Sequence, residues 1–284
     1  AYRQAVQGVF TQTTLGFVVL GSIAYFLTFL WCREAVVRTS PSVSIKETFA
    51  TLKNNKPLAI LCGASFFYLI GLFAVGGSTA FYAKYVLGDI SQTANMTLVN
   101  VGIALLITPL IPAIIKRLGK KTVFQYCGIF TVVGGVALFF VPTGAIAMAL
   151  VFLAIKGIGA SLINTVMFGL EADTVEYGEW KTGQRTEGAT YAIFSFTRKV
   201  TQSLGGALGA WLLAVGGSLS ATALAPNPIQ PETAILAIKF TIGLLPAIAA
   251  IIAMVIFWRY PLTDKMFREI RDENEARKIA LAAQ

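Results

Sequence analysis

Apolar residues run through this chain in seven long blocks separated by short polar stretches. The blocks lie at roughly 7–31, 57–83, 97–115, 122–141, 145–171, 188–216 and 234–258. They cluster around the ~20 residues a helix needs to cross a ~30 Å hydrocarbon core. The pattern predicts an all-α membrane protein with about seven transmembrane helices. Composition agrees, since 56% of the 284 residues are hydrophobic and 13% charged, against about 25% charged in ordinary soluble domains.

The polar connections alternate in charge. Segments 32–56, 116–121, 172–187 and 259–284 together hold 17 Lys and Arg, while 1–6, 84–96, 142–144 and 217–233 hold only Arg3 and Lys84. Positive residues collect on the cytoplasmic side of a membrane protein. The expected setting is an integral membrane one with the C-terminus in the cytoplasm. This asymmetry accounts for most of the net charge of +9 without any nucleic acid partner; the partners expected are lipid and a small molecule.

Within 32–56, the stretch SVSIKETFATLKNN after Pro41 places Ile45, Phe49 and Leu52 at helical spacing. Ser44 followed by Glu47 reads as a capping box. A short amphipathic helix is expected there, on the inner membrane surface or against the bundle. KRLGKK at 116–121 reads as a basic turn that sets topology. Segment 217–233, with Pro226, Pro228 and Pro231, is a connector that cannot be helical. The tail 259–284 is expected to form a cytoplasmic helix.

There is no histidine, which removes Ser–His and Cys–His catalysis and His-ligated metal. Cys32, Cys62 and Cys127 have no metal spacing and read as packing residues. No enzyme is expected. Four cations fall inside the apolar blocks: Lys156, Arg198, Lys199 and Lys239. Lys239 is near a block end and can snorkel. Arg198 and Lys199 sit roughly 15 Å into a helix rising ~1.5 Å per residue, where charge is expensive and usually functional. The acids Glu171 and Asp173 are placed by the pattern at the cytoplasmic mouth, in a charged turn over 171–187. The deep cations therefore lack an acidic partner at their own depth, so helices outside this stretch or an anionic substrate must supply one. Gly157, Gly159, Gly205, Gly206 and Gly209 offer small faces for close helix approach.

The string ADTVEYGEWKTGQR followed by EGATYAIFSFTRK, together with YPLTDKMFREI in the tail, resembles the glycoside–pentoside–hexuronide:cation symporters. These are the melibiose-permease-like branch of the major facilitator superfamily, and the glucuronide carriers within it are the most similar. The resemblance implies a major-facilitator-type helical bundle, whose two halves have six helices each. It covers essentially the whole chain but only the C-terminal part of that fold. The chain begins at Ala1 without a methionine, so an N-terminal part is expected to be missing. Residues 1–31 then form the last helix of the first half, 32–56 the tether, 57–258 the second half and 259–284 the tail.

What the family implies is cation-coupled symport, with H+ or Na+, of a glycoside or hexuronide by alternating access. The lysine after F-T-R belongs to the family's sugar site, which carries to Lys199. Arg198, about 100° round the helix, is a candidate to hold a carboxylate bidentately. Lys156 has no motif support, and either helix pairing or substrate contact is open to it. Asn164 stands where the melibiose carriers place a stacking tryptophan, so stacking does not carry over; its amide is open to a hydrogen bond with a hydroxyl or, the more common use, between helices. Tyr191 and Tyr82 are further candidate liners. Asp173, Glu176, Lys181 and Arg185 read as a cytoplasmic gate rather than a metal site. The family's coupling cation is held by aspartates of the first half, so no cofactor or metal is assigned to this stretch, and the N-terminal half is the expected partner. A seven-helix receptor, or a membrane protein that transports nothing, is the alternative.

Overall fold

The computed structural model describes residues 2–32, 45–219 and 229–282. It divides into two units, Ala1–Ser42 and Val43–Gln284. The first contains one helix, α1 (Tyr2–Trp31). The second holds α2 (Ile45–Asn54), α3 (Lys56–Tyr85), α4 (Gln92–Ile107), α5 (Ile111–Leu118), α6 (Lys120–Phe140), α7 (Ile146–Thr182), α8 (Glu187–Val215), α9 (Glu232–Lys239), α10 (Leu245–Phe257) and α11 (Asp264–Ala282). Among the described residues there is no strand. Residues 33–44, with the Ser44 half of the capping box, and 220–228 of the 217–233 connector lie outside the described residues.

Among the described residues, six segments are long and apolar enough to cross a membrane: Gln7–Trp31, Lys56–Tyr85, Gln92–Leu118, Lys120–Phe140, Ile146–Thr182 and Glu232–Phe257. The expected seventh, α8, has the length at 29 residues. Thr197, Arg198, Lys199, Thr201, Gln202 and Ser203 in its middle dilute its apolarity. The third segment is not one straight helix. Pro109 and Pro112 cannot donate their backbone nitrogens, and a 3-10 turn, Thr108–Leu110, joins α4 to α5.

The largest departure from the sequence pattern is α7. The charged stretch after residue 171 is not a turn; the helix runs on to Thr182, 37 residues in all. At ~1.5 Å per residue that is about 55 Å, far longer than a ~30 Å hydrocarbon core. No proline interrupts 146–182, and Gly183 ends the helix at φ +72, donating its N–H to the Glu179 carbonyl. That left-handed stop suits glycine. The true turn is only residues 183–186.

Helix α3 packs on α8 and α10, α6 on α7 and α10, and α4 on α7. Glycine allows close approach at two seams. A Cβ on Gly209 would stand 2.6 Å from the Ala74 carbonyl oxygen of α3, and one on Gly243 the same distance from that of Gly135. Gly205 belongs to the first seam, while Gly206 faces open space. One buried cluster gathers Leu58, Phe124, Met167 and Phe257 toward the charged end; a second gathers Tyr82, Val86, Leu138 and Ile242 toward the other. Tyr82 is fully buried and donates to the Leu138 carbonyl at 3.1 Å, so it lines nothing.

The segment before α3 is bound to the bundle. α2 packs against α3 and α8, with Leu52 on the core. Buried Asn55 accepts the Leu58 N–H at 3.1 Å, capping α3, and donates Nδ2 to the Thr174 carbonyl of α7 at 2.7 Å. Asn55→Ala removes a cap and an interhelical bond at once. It should lower the unfolding free energy by about 2 kcal/mol, read as a fall in the melting temperature of detergent-solubilised protein. Asn55→Asp keeps the acceptor and should lose only part of that.

Candidate functional site

Two charged layers lie on α7 and α8. The outer one surrounds the turn between them. Arg185 donates to Glu176 at 2.8 Å, to Glu179 at 2.7 Å and to Glu187 at 3.2 Å. The Glu176 carboxylate first, then Glu179 and Glu187, hold this guanidinium protonated, above even its usual range. The tail helix joins the same network. Lys278 pairs with Glu179 at 3.0 Å, Asn274 donates to the Glu176 carbonyl, and Arg277 donates to the Trp180 carbonyl. The indole N–H of Trp180 donates to Glu273 at 2.6 Å. The tail is therefore a docked helix, packed on the projecting end of α7.

Asp173 is buried, and Lys120 Nζ meets it at 2.6 Å. Lys120 also donates Nζ to the Gly169 carbonyl and its backbone N–H to Asp264. The basic turn before α6 thus does more than set topology: it locks α6, α7 and the start of α11 together. Lys181 donates to the Asn54 carbonyl at the end of α2 at 2.9 Å. Asp173, Glu176, Lys181 and Arg185 accordingly lie in one region of linked helix ends.

The inner layer lies a few turns up each helix. On α8, Tyr191, Ser195 and Lys199 are exposed along one stripe, spaced at four residues. Among the described residues Lys199 has no hydrogen-bond or ion-pair partner. Arg198 turns elsewhere. Its guanidinium carbon lies 4.7 Å from the centre of the Phe168 ring on α7, and its Nη1 is buried without an acceptor. Asn164, one turn before Phe168, is half-buried.

Glu171 changes the charge balance read from sequence. With α7 continuing to Thr182, Glu171 is well inside the helix rather than at its mouth. Its side chain is 1% exposed, its Oε1 has no donor, and Arg198 is within electrostatic reach. The expectation of no acid at the depth of Arg198 was therefore wrong. A signal was present in the sequence: Asn164, Phe168 and Glu171 share one helical face.

Lys156 is buried away from this layer, at 5% exposure, and donates to the Ile242 carbonyl at 2.7 Å. That carbonyl is free for a definite reason. Pro246, four residues on, has no N–H to offer it, and the backbone there forms a π turn, Phe240–Leu244. Lys156 thus replaces the missing helical donor. Lys239 plays a like part, donating to the Val141 carbonyl at the end of α6 at 2.7 Å.

Long apolar helices, a polar stripe on one of them and ion-linked helix ends define a helical membrane protein. Comparison with known families agrees. The model of the MFS/sugar transport protein family matches residues 3–264, and the chain belongs to that family. The resemblance to the glycoside–pentoside–hexuronide symporters is thereby supported, and the receptor alternative is set aside. Similar proteins include the glucuronide carrier protein homolog of Escherichia coli K12, 41% identical over 93% of this chain and 57% of the relative. A putative sulfoquinovose importer of Salmonella typhimurium LT2 is 32% identical over 96% of this chain and 59% of its own. The lactose permease of Lactobacillus delbrueckii subsp. bulgaricus is 28% identical, covering 95% and 41%. The chain spans under three-fifths of the length of each of these relatives.

The Arg185 hub makes a structural prediction. Arg185→Gln leaves three carboxylates facing one another and loosens the surface on which α11 docks. Trypsin cleavage within 264–282 should then accelerate several-fold. An unchanged rate would show that the hub does not hold the tail.

Proposed function

We propose that this chain forms part of a cation-coupled symporter, driven by H+ or Na+, that moves an acidic glycoside such as a glucuronide by alternating access. The single observation behind this reading is Lys199, an ammonium on the polar stripe of a membrane helix with no partner among the described residues. Inserting such a charge costs at least ~2.5 kcal/mol even on translocon scales. A carboxylate carried by the substrate offsets that cost. Two of the similar proteins are named for acidic sugars, a glucuronide and a sulfonated one. Tyr191, Ser195 and Asn164 supply hydroxyl and amide groups suited to sugar hydroxyls. The coupling cation is assigned to the N-terminal half, with which this chain would work, and the charged end is assigned to the cytoplasm of a bacterial inner membrane on the 17-to-2 asymmetry of Lys and Arg.

The outer layer is read as the cytoplasmic gate. Lys120–Asp173 and the Arg185 hub link the ends of α6, α7, α8 and α11, and opening that end requires some of these pairs to part. Their energies are modest where solvent reaches them, as a gate that cycles requires.

Two outcomes follow for the intact carrier. Lys199→Ala should abolish uptake of 4-nitrophenyl β-D-glucuronide while the protein still inserts, and Lys199→Gln should weaken the glucuronide more than the neutral glucoside. Wild-type glucuronide affinity in Lys199→Ala would sink the assignment. Asp173→Asn should slow transport more than it weakens binding; an equal loss of binding would move Asp173 into the sugar site.

A further inference from the structure

Only residues 183–186 separate α7 from α8, so positions equally far from that turn lie at about the same level. Glu171 precedes Thr182 by 11 residues, and Arg198 follows Glu187 by 11. At ~1.5 Å per residue both sit about 16 Å from the turn. Phe168 and Phe194 meet edge-on between the helices, ring centres 6.5 Å apart, and the Arg198 guanidinium lies over Phe168.

Two orphaned ends lie at this level, within electrostatic reach of each other but not in direct ion-pair contact. Glu171 Oε1 is buried without a donor and Arg198 Nη1 is buried without an acceptor. Each charge alone is expensive in an apolar bundle; together they compensate. The aromatic face of Phe168 favours the cation where it stands. Lys199, the next residue, points about 100° away along the exposed stripe.

We propose that Glu171 is a positioning residue: it holds Arg198 against α7, so that the pair brings no net charge to the substrate cavity and Lys199 alone presents a cation to an anionic sugar. This rests on the reading of Lys199 given above. Glu171 thereby sets the charge preference of the carrier without touching the substrate. Removing its charge frees Arg198 to act as a second cation beside Lys199. Removing Arg198 instead leaves an uncompensated carboxylate that repels the substrate's own.

The test is a double-mutant cycle in the intact carrier, reconstituted in vesicles and probed with 4-nitrophenyl β-D-glucuronide and 4-nitrophenyl β-D-glucoside. Glu171→Gln should raise the acidic-over-neutral preference, read from the two KM values, by about fivefold, and Arg198→Gln should lower it by a similar factor, the scale of one added or lost charge a few ångströms away. The double variant should return close to wild type. A fall or no change in Glu171→Gln overturns the proposal, as does a double variant that keeps the full shift of either single variant. A second cycle needs no substrate. Each single variant should lower the melting temperature, and the double should lower it by less than the two together; additive shifts refute the pair. If the wild-type carrier binds neither probe, the acidic-sugar reading fails, and the melting cycle still decides whether Glu171 holds Arg198.

Discussion

A charge buried among apolar helices must find a counter-charge or a dipole, and that requirement orders much of the second unit. No water is at hand in a hydrocarbon core to satisfy an unpaired polar group. Lys156 answers to a carbonyl that Pro246 leaves free, Lys239 to the end of α6, and Lys120 to Asp173. Arg198 answers to an aromatic face and the field of Glu171. Lys199 is the membrane-depth cation for which the described residues offer nothing, and this distinguishes it from its neighbours.

The same requirement explains why α7 is so long. Its inner part packs against α4 and α6, and its outer three turns carry the acids that collect Lys120, Arg185 and Lys278. The helix thus joins the layer of the Lys199 stripe to the layer of helix ends as one rigid element. Glycine seams at Gly209 on Ala74 and at Gly135 on Gly243 bring the backbones close, and packing of this kind, rather than a hydrophobic drive, holds helices together within lipid. Closely packed seams also favour motion of whole helices over local bending.

Much of the fold was legible in the sequence because apolar blocks near membrane length leave few alternatives. Helix ends came within a few residues for α3, α6 and α8. What misled was the density of charge after Glu171, which reads as a loop when a helix is assumed to stop at the bilayer surface. Once α7 is continued to Thr182, Glu171 moves inward and the apparent lack of an acid near Arg198 disappears. The Lys156 contact was illegible for another reason: it depends on a carbonyl freed by a proline 90 residues away in sequence. Asn55 was hidden because both its bonds join it to backbone, one of them on α7. Lys199, by contrast, was singled out by depth and motif, and the exposed stripe it shares with Tyr191 and Ser195 suits the role inferred for it.

That role is tested most directly one turn away from the lysine itself. Ser195→Cys, in an intact carrier whose Cys32, Cys62 and Cys127 are replaced by serine or alanine, places a thiol on the stripe without touching the charge. If an acidic sugar docks at Lys199, saturating 4-nitrophenyl β-D-glucuronide should slow maleimide labelling of that thiol strongly, and the neutral glucoside should protect it less at equal concentration. Unchanged labelling in the presence of bound glucuronide would contradict the account.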